Sequence, residues 1–334
     1  MTLYTTYDSI SPLAWRQLIE RTRTATWFQT PEGYQFLDAT RDYDPFVVAV
    51  EEGDRLVGVC VGQISRSRSR LVQYLTRRAI INGGPMLDED ITDEALLLLL
   101  QAVNETTHER AIYTEIRCFH DYSRWHAVLE QAGWTYAPHL NFHIACEDHD
   151  GMWERLSENR RRQITKAQSL GVQIVQLNNE EDLRNWYRIL KHLYRWHVHK
   201  PLPGLDFFRT LMREQVVLAV RAPEGGPIIG GAACVKLRGR ALYEWYICGL
   251  DEQYRTYAPS VMATWAAMEY AQANRLPIFD VMGAGVPDVP YGVRTFKQKF
   301  GGKLVEHGRW TMVAHSGLYR LGKMVYRVIF RKKS

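Results

Sequence analysis

Residues 47–50 read VVAV, and 170 positions later residues 217–220 read VLAV. Each run continues through a polar turn into a second apolar stretch, EEGDRLVGVCVGQI in the first instance and RAPEGGPIIGGAACVKL in the second. Gly58 and Gly230 correspond at an offset of 172, because the second turn is two residues longer. β-Branched runs flanking glycine-containing turns read as β-hairpins. The ends of the two halves also match. LEQAGWTYAPHLNFHI closes the first and FKQKFGGKLVEHGRWTMV the second, with Gly133 and Gly301 separated by 168 residues, as are Phe142 and Trp310. Leu13 in SPLAWRQLIERT and Leu183 in EDLRNWYRILKHLYR lie 170 apart, both on amphipathic helical patterns. Three matches in register at a nearly constant offset indicate a duplicated domain.

A chain of 334 residues exceeds one ordinary core, so two domains are expected on length alone. The expected boundaries are 1–150, 151–315 and a basic amphipathic tail over 316–334. Each copy reads helix, helix, hairpin, further strand, helix, strand, strand. Ala95–Arg110 and Ser260–Asn274 are the helices between the later strands, and AIYTEIRCF and PIFDVMG are the strands that follow them. This order predicts an α+β fold in which each domain is a mixed β-sheet flanked by helices. A doubly wound dinucleotide binder is excluded because no strand leads into G-x-G-x-x-G. Gly283 and Gly285 come nearest, but prolines and Tyr291 follow where a helix should begin.

Composition narrows the function classes. No stretch approaches the roughly 20 apolar residues of a membrane-spanning helix. MTLYTTYDSI lacks a basic segment followed by an apolar one, so no secretory signal is expected. Five cysteines, Cys60, Cys118, Cys146, Cys234 and Cys248, are widely spaced without a CxxC pair, which argues against a disulfide scaffold or a zinc site and fits a reducing cytoplasm. His197 and His199 have the spacing of one strand face, but with no third ligand nearby no metal site is expected. The net charge of +5 is concentrated in three clusters, around Arg66–Arg78, Arg155–Lys166 and Arg320–Lys333. Each is either solvated surface or a contact for phosphate or anionic lipid.

An acyl-coenzyme A enzyme holds the cofactor pyrophosphate on bare backbone N–H groups at a helix N-terminus. Here the equivalent stretch of the second half runs Arg255, Thr256, Tyr257, Ala258, Pro259, Ser260, without glycines and with a proline that removes one donor. The first half offers INGGPMLDEDITDEALLLLL, where Pro85 and an acidic spacer precede the helix. Neither is a good pyrophosphate cradle.

The second half carries NRRRQITKAQSLGV from Asn159, LRNWYRILKHLYR from Leu183, DEQYRTYAPSVMATWAAMEYAQANRLPIFDVMGAG from Asp251 and YGVRTFKQKFGG from Tyr291. This succession resembles the Fem family of aminoacyltransferases, which extend the peptide branch of peptidoglycan precursors from aminoacyl-tRNA, and the wider group of acetyltransferase-fold (GNAT) proteins. The resemblance covers most of Asn159–Gly302. It implies two tandem acetyltransferase-like domains and an acceptor peptide bound in a cleft. It also implies that Phe296 and Lys297 stabilise a tetrahedral intermediate, through a backbone amide and the ammonium, and that Arg160 or Arg161, with Lys166, faces anionic parts of a substrate. Tyr246, Arg255, Tyr291 and Arg294 complete the substrate-binding candidates.

Transfer from an activated ester needs positioning and oxyanion stabilisation more than covalent catalysis, and one oxyanion donor contributes roughly 3–4 kcal/mol. No Ser-His-Asp or Cys-His pairing appears, so direct transfer is expected. The ordinary alternative for Lys297 is a surface lysine on a strand beside buried Phe296. Asp280, ending the strand LPIFD, and Glu244, in ALYEWYICGL, are candidate bases for the amine; alternation would put Glu244 and Tyr246 on one strand face. In the tail, Leu318, Leu321, Val325 and Val328 recur at near-helical spacing among Arg and Lys, a pattern that suits docking on the domain or contact with an anionic membrane.

The function expected is aminoacyl or acyl transfer to an amino group of a cell-wall precursor peptide, in the cytoplasm or at the inner membrane face. No cofactor is expected to bind tightly; the donor is aminoacyl-tRNA or acyl-CoA. The alternatives are an acyl-CoA-dependent N-acyltransferase in polysaccharide or lipid assembly, and a non-catalytic glycan- or peptide-binding protein.

Overall fold

The computed structural model of the protein describes residues 1–66 and 77–331. Arg68 and Arg70 of the first basic cluster, and Lys332 and Lys333 of the third, lie outside the described residues. Two compact units result: Met1–His139 with Glu306–Ser334, and Leu140–Val305.

The first unit runs β1 (Thr2–Tyr4), α1 (Pro12–Arg21), α2 (Pro31–Asp38), β2 (Tyr43–Glu52), β3 (Arg55–Ser65), β4 (Ala79–Gly83), β5 (Met86–Leu87), α3 (Asp93–His108), β6 (Tyr113–Cys118), α4 (His126–Gln131) and β7 (Thr135–Ala137). The second comprises β8 (Leu140–Ala145), α5 (His149–Arg155), α6 (Glu158–Ser169), β9 (Gln173–Gln176), α7 (Glu180–Leu193), α8 (Leu205–Glu214), β10 (Val216–Arg221), β11 (Ile228–Leu237), β12 (Ala241–Gly249), α9 (Pro259–Ala273), β13 (Ile278–Asp280), α10 (Gly292–Gln298) and β14 (Lys303–Glu306). The chain then returns to the first unit as β15 (Arg309–Val313) and α11 (Ser316–Arg331).

Helix starts follow local chemistry. The side chains of Ser11, Thr92, Ser157 and Asn179 accept backbone N–H bonds at the N-termini of α1, α3, α6 and α7. Acids fill the first turns of α3 and α7, where they complement the helix dipole.

The sheets repeat one plan. The first has strand order β1-β2-β3-β4-β6-β15-β7, with β5 beside β3; the second is β14-β8-β13-β12-β11-β10-β9. Gly58 lies opposite Val50 and Gly230 opposite Val220, and in each hairpin the register shifts at the next residue. The same bulge in the same place confirms the duplication. In each sheet two parallel strands, β4 with β6 and β12 with β13, are joined through a helix, α3 or α9. α3 presents Leu96, Leu99, Leu100 and Val103 to the first core; α9 is buried nearly all round and fills the second with Met262, Trp265 and four alanines.

Three sequence expectations change. The units divide at 139/140 and 305/306 rather than 150/151 and 315/316. The reason is a strand exchange: β8, which ends the first sequence repeat, pairs with β13 in the second sheet, and β15, which ends the second repeat, pairs with β6 in the first. Leu13 is 67% exposed whereas Leu183 is fully buried, so the matched helices share position but not packing; α1 buries Trp15 and Leu18 instead. His197 and His199 belong to a π-helical turn over Tyr194–Val198 and its left-handed cap, not to a strand.

Candidate active site

The stretch TFKQKFGG is not a strand. Residues 292–298 form α10, Gly301 turns left-handed with φ +77°, and β14 follows. The first unit repeats this device with α4, Gly133 at φ +86° and β7. Within it Lys297 takes the place of Leu129, a residue 2% exposed. A lysine therefore occupies a core position of the fold.

What it does there is specific. β12 and β13 pair only over Ala241–Tyr243 and Ile278–Asp280; beyond that β12 continues to Gly249 while the other strand ends. At this divergence the chain makes the loop 281–286, with Met282, Gly283 and Gly285 all at positive φ. The Lys297 ammonium donates to the carbonyls of Val281 at 2.5 Å and Gly283 at 3.0 Å, and lies 3.9 Å from Glu244 Oε1. One turn earlier on α10, Arg294 donates to the carbonyls of Ala284, at 2.8 Å, and Val286. Two cations thus hold four carbonyls of one strained loop. Burial pulls the Lys297 ammonium below its ordinary pKa, with Glu244 and Asp280 opposing.

The two candidate bases are in different states. Asp280 is 2% exposed. Its Oδ1 accepts from Asn141 Nδ2 at 2.8 Å and from the Met282 N–H at 2.6 Å, and its Oδ2 lies 3.2 Å from His143 Nε2. Burial alone would raise its pKa, but His143, Asn141 and the Met282 amide together hold it below the ordinary value. Glu244 is 5% exposed, its Oε2 has no hydrogen-bond partner among the described residues, and burial, opposed by Lys297 and by a hydrogen bond from Thr264 and reinforced by Asp280, pushes it up to about 7. The two carboxyls are thus driven apart: Asp280 stays ionised, and Glu244 can take up and release a proton near neutrality.

Arg160 is 5% exposed, stacks its guanidinium 4.5 Å above the Phe296 ring and 5.0 Å above Phe300, and donates to Gln163 Oε1 at 2.6 Å and the Phe296 carbonyl at 3.4 Å. It braces α10 from below. Tyr291 precedes α10 and packs where a Cβ on Gly285 would sit. Glu244, Asp280, Lys297, Phe296, Arg294, Tyr291 and Arg160 are therefore one assembly. Tyr246 is not in it. A register shift between Ala233 and Cys234 opposes Ala233 to Tyr246 and Cys234 to Glu244, so Trp245 is an extra residue and the alternation breaks. Tyr246 joins the ring cluster of Tyr194, Phe207, Phe208 and Trp245. Arg161 reaches the Glu154 carbonyl at 3.4 Å, and Lys166 and Arg255 are exposed.

The sequence reading missed His143 and Asn141. In LNFHIA the apolar residues Leu140, Phe142 and Ile144 join the core, which leaves Asn141 and His143 on the other strand face. That alternation was legible; the strand's membership of the second sheet was not. Asp251 was missed as well. Its carboxylate accepts from the Ser260 N–H at 3.0 Å and from the Ser260 hydroxyl, so it caps α9 from nine residues upstream. In the first unit, Thr92 at the N-terminus of α3 is bonded by Glu52 at 2.5 Å. Both helix ends where a pyrophosphate would rest already hold the protein's own carboxylates. All five cysteines are buried thiols, each raised by burial, with Cys146 at about 12, which does not suit a nucleophile.

Residues 155–297 match the family model of the acetyltransferase (GNAT) domain. Fold and matched domain together define two tandem GNAT-fold units, the second of which carries the matched acetyltransferase domain. Among solved structures, the chain is similar to FemX, with a TM-score of 0.70, 13% identity, and 95% of this chain and 99% of that one covered. L-PGS from Bacillus licheniformis superimposes with a TM-score of 0.58 at 10% identity, over 94% of this chain and 96% of that one. A tandem GNAT protein from the clavulanic acid biosynthesis pathway gives 0.58 at 11% identity, over 94% and 99%. No protein of curated function matches the sequence. Among the described residues no helix is long and apolar enough to cross a membrane.

Proposed function

We propose that this protein transfers an aminoacyl group from an activated ester to an amino group of a cell-wall precursor peptide, by direct attack. The observation that carries the acid–base part of the reading is Glu244, a buried carboxyl held near neutrality with one free oxygen beside a buried ammonium. The acceptor amine attacks the ester carbonyl carbon and gives a proton to Glu244. The tetrahedral carbon then expels the ester oxygen, which leaves as a hydroxyl carrying that proton. With both loop carbonyls of Val281 and Gly283 bonded to it, Lys297 sets the loop's shape and tunes Glu244. The Phe296 and Lys297 amides lie inside α10 and are spent on its own hydrogen bonds, so the oxyanion contact that the resemblance implies falls to the ammonium and not to the backbone.

Supporting an ester of the aminoacyl-tRNA kind over an acyl-CoA thioester is Asp251. A carboxylate already accepts the first donors of α9, and a second anion there would meet like charge. The solved structures of FemX and of L-PGS share the fold. The tail belongs to the same reading: α11 exposes Leu321 and Met324, and its basic sequence suits the anionic face of a membrane that carries a lipid-linked acceptor.

The test is incubation with a mixture of charged tRNAs, or separately with acetyl-CoA, and a muropeptide precursor with a free amine. Labelled amino acid in the muropeptide supports the proposal. Saturable coenzyme A binding with acyl transfer from the thioester replaces it with the acyl-CoA reading. Precursor binding without turnover from either donor makes the protein a binding module.

A further inference from the structure

The polar face of the first sheet carries an arrangement that acyl transfer in the second unit does not use. Register places Asn82 of β4, Arg117 of β6 and Arg309 of β15 in one row across three adjacent strands. Two arginines directly opposite each other on neighbouring strands repel, and such pairs are kept only where something compensates them. Within the sheet the compensation is one carboxylate: Glu115 accepts from Arg117 Nε at 2.6 Å and from Arg309 Nη1 at 3.3 Å. Arg309 Nη2 lies 2.9 Å from His139 Nε2, a contact that needs the imidazole neutral with its lone pair toward the guanidinium, so it adds no negative charge. Arg78 acts electrostatically on both Glu115 and Arg309, and Arg117 and Arg78 both depress the Arg309 pKa. One carboxylate against the two guanidiniums of the row, with Arg78 acting on both from nearby, leaves the row net positive.

Two further features point outward to a ligand. Arg117 and Arg309 are 29% and 28% exposed, so each keeps donors within reach of solvent. Asn82, 5% exposed, ends the row with its Oδ1 unpartnered among the described residues, an uncommon state for a buried amide. A planar guanidinium offers paired donors that match phosphate oxygens.

We propose that Asn82, Arg117 and Arg309 form a binding site for a phosphate or pyrophosphate group, independent of the chemistry in the second unit. The anion lies across the strand row, takes one guanidinium edge from each arginine, and donates its P–O–H hydrogen to the Asn82 Oδ1. Glu115 holds the arginines in place when the site is empty and competes with the ligand for the same donors.

The full chain titrated with inorganic pyrophosphate by calorimetry, at about 0.15 M salt to screen loose surface binding, tests this. Saturable binding is expected, weakened at least tenfold in both Arg117→Gln and Arg309→Gln and by less than that in Arg117→Lys, with thermal melts confirming that each variant is folded. Glu115→Gln, which removes the competitor, is expected to bind more tightly. Parallel titrations with ADP and with glycerol 1-phosphate distinguish a soluble nucleotide from a lipid headgroup as the source of the phosphate. No saturable binding of pyrophosphate, or binding that survives unchanged in both glutamine variants, overturns the site.

Discussion

Replacing Glu244 with Gln separates its electrostatic role from its shape. In the folded protein burial raises this carboxyl from an ordinary 4.5 to about 7. The folded state therefore holds the proton more tightly than the unfolded chain. That contribution to stability is fully present below about pH 4.5 and is lost as pH rises through about 7. A shift of this size at about 1.4 kcal/mol per pKa unit corresponds to roughly 3 kcal/mol. The amide cannot titrate, so the stability of Glu244→Gln relative to the parent should rise by about that amount between pH 4.5 and 8. A constant offset from the altered Lys297 neighbourhood does not affect this slope. Urea melts of both proteins at pH 4.5, 6, 7 and 8 measure it. Two curves that stay parallel across this range would mean that Glu244 is an ordinary carboxylate, and its assignment as the base would fall with it. The same variant should lose transfer activity by about 100-fold or more, as expected for a missing general base.

Lys297→Met keeps the volume of a core side chain but strips two carbonyls of their donor and removes the cation that lowers Glu244. A loss of about 2–4 kcal/mol is expected, together with a stability transition displaced to higher pH than in the parent, both read from the same melts. Asp251→Ala removes the cap of α9; a cost of about 1 kcal/mol is expected by thermal denaturation, with a gain in coenzyme A affinity if the carboxylate is what excludes phosphate. The duplicated glycines should differ. At Gly133 a Cβ meets nothing within 4 Å, so Gly133→Ala costs only the left-handed backbone term of about 1–2 kcal/mol. At Gly301 the added carbon overlaps the carbonyl of Arg155, so Gly301→Ala should cost at least twice as much. Equal melting shifts for the pair would contradict this account of the turn.

The duplication was legible because it is written in local pattern. Val50–Gly58 and Val220–Gly230 are short hairpins whose register depends on a few adjacent residues, and both fall where the repeat puts them. Helices α3 and α9 follow from apolar periodicity and lie within two residues of their expected ends. Gly133 and Gly301 could be read as structural from their repetition alone. The site was legible in part. Lys297, Asp280 and Glu244 were named as candidates from the sequence, and the structure brings them together. That Asp280 is held ionised depends on Asn141 and His143, which arrive from a strand 137 residues or more away in sequence. Tyr246 was placed with Glu244 by strict strand alternation, which one extra residue at Trp245 breaks.

By itself, then, the sequence determined two copies of an α+β unit, the hairpins and helices within each, and the asymmetry that puts Lys297 where the first copy has a core leucine. Only the tertiary structure decided that β8 and β15 change places between sheets, that Lys297 and Arg294 clamp the 281–286 loop, and that one buried carboxyl is ionised while its neighbour stays near neutral. The physical reason is range. Hairpins, caps and amphipathic faces arise from neighbours a few residues apart, whereas burial and the partners of a charge are set by strands that meet only after the whole chain has folded.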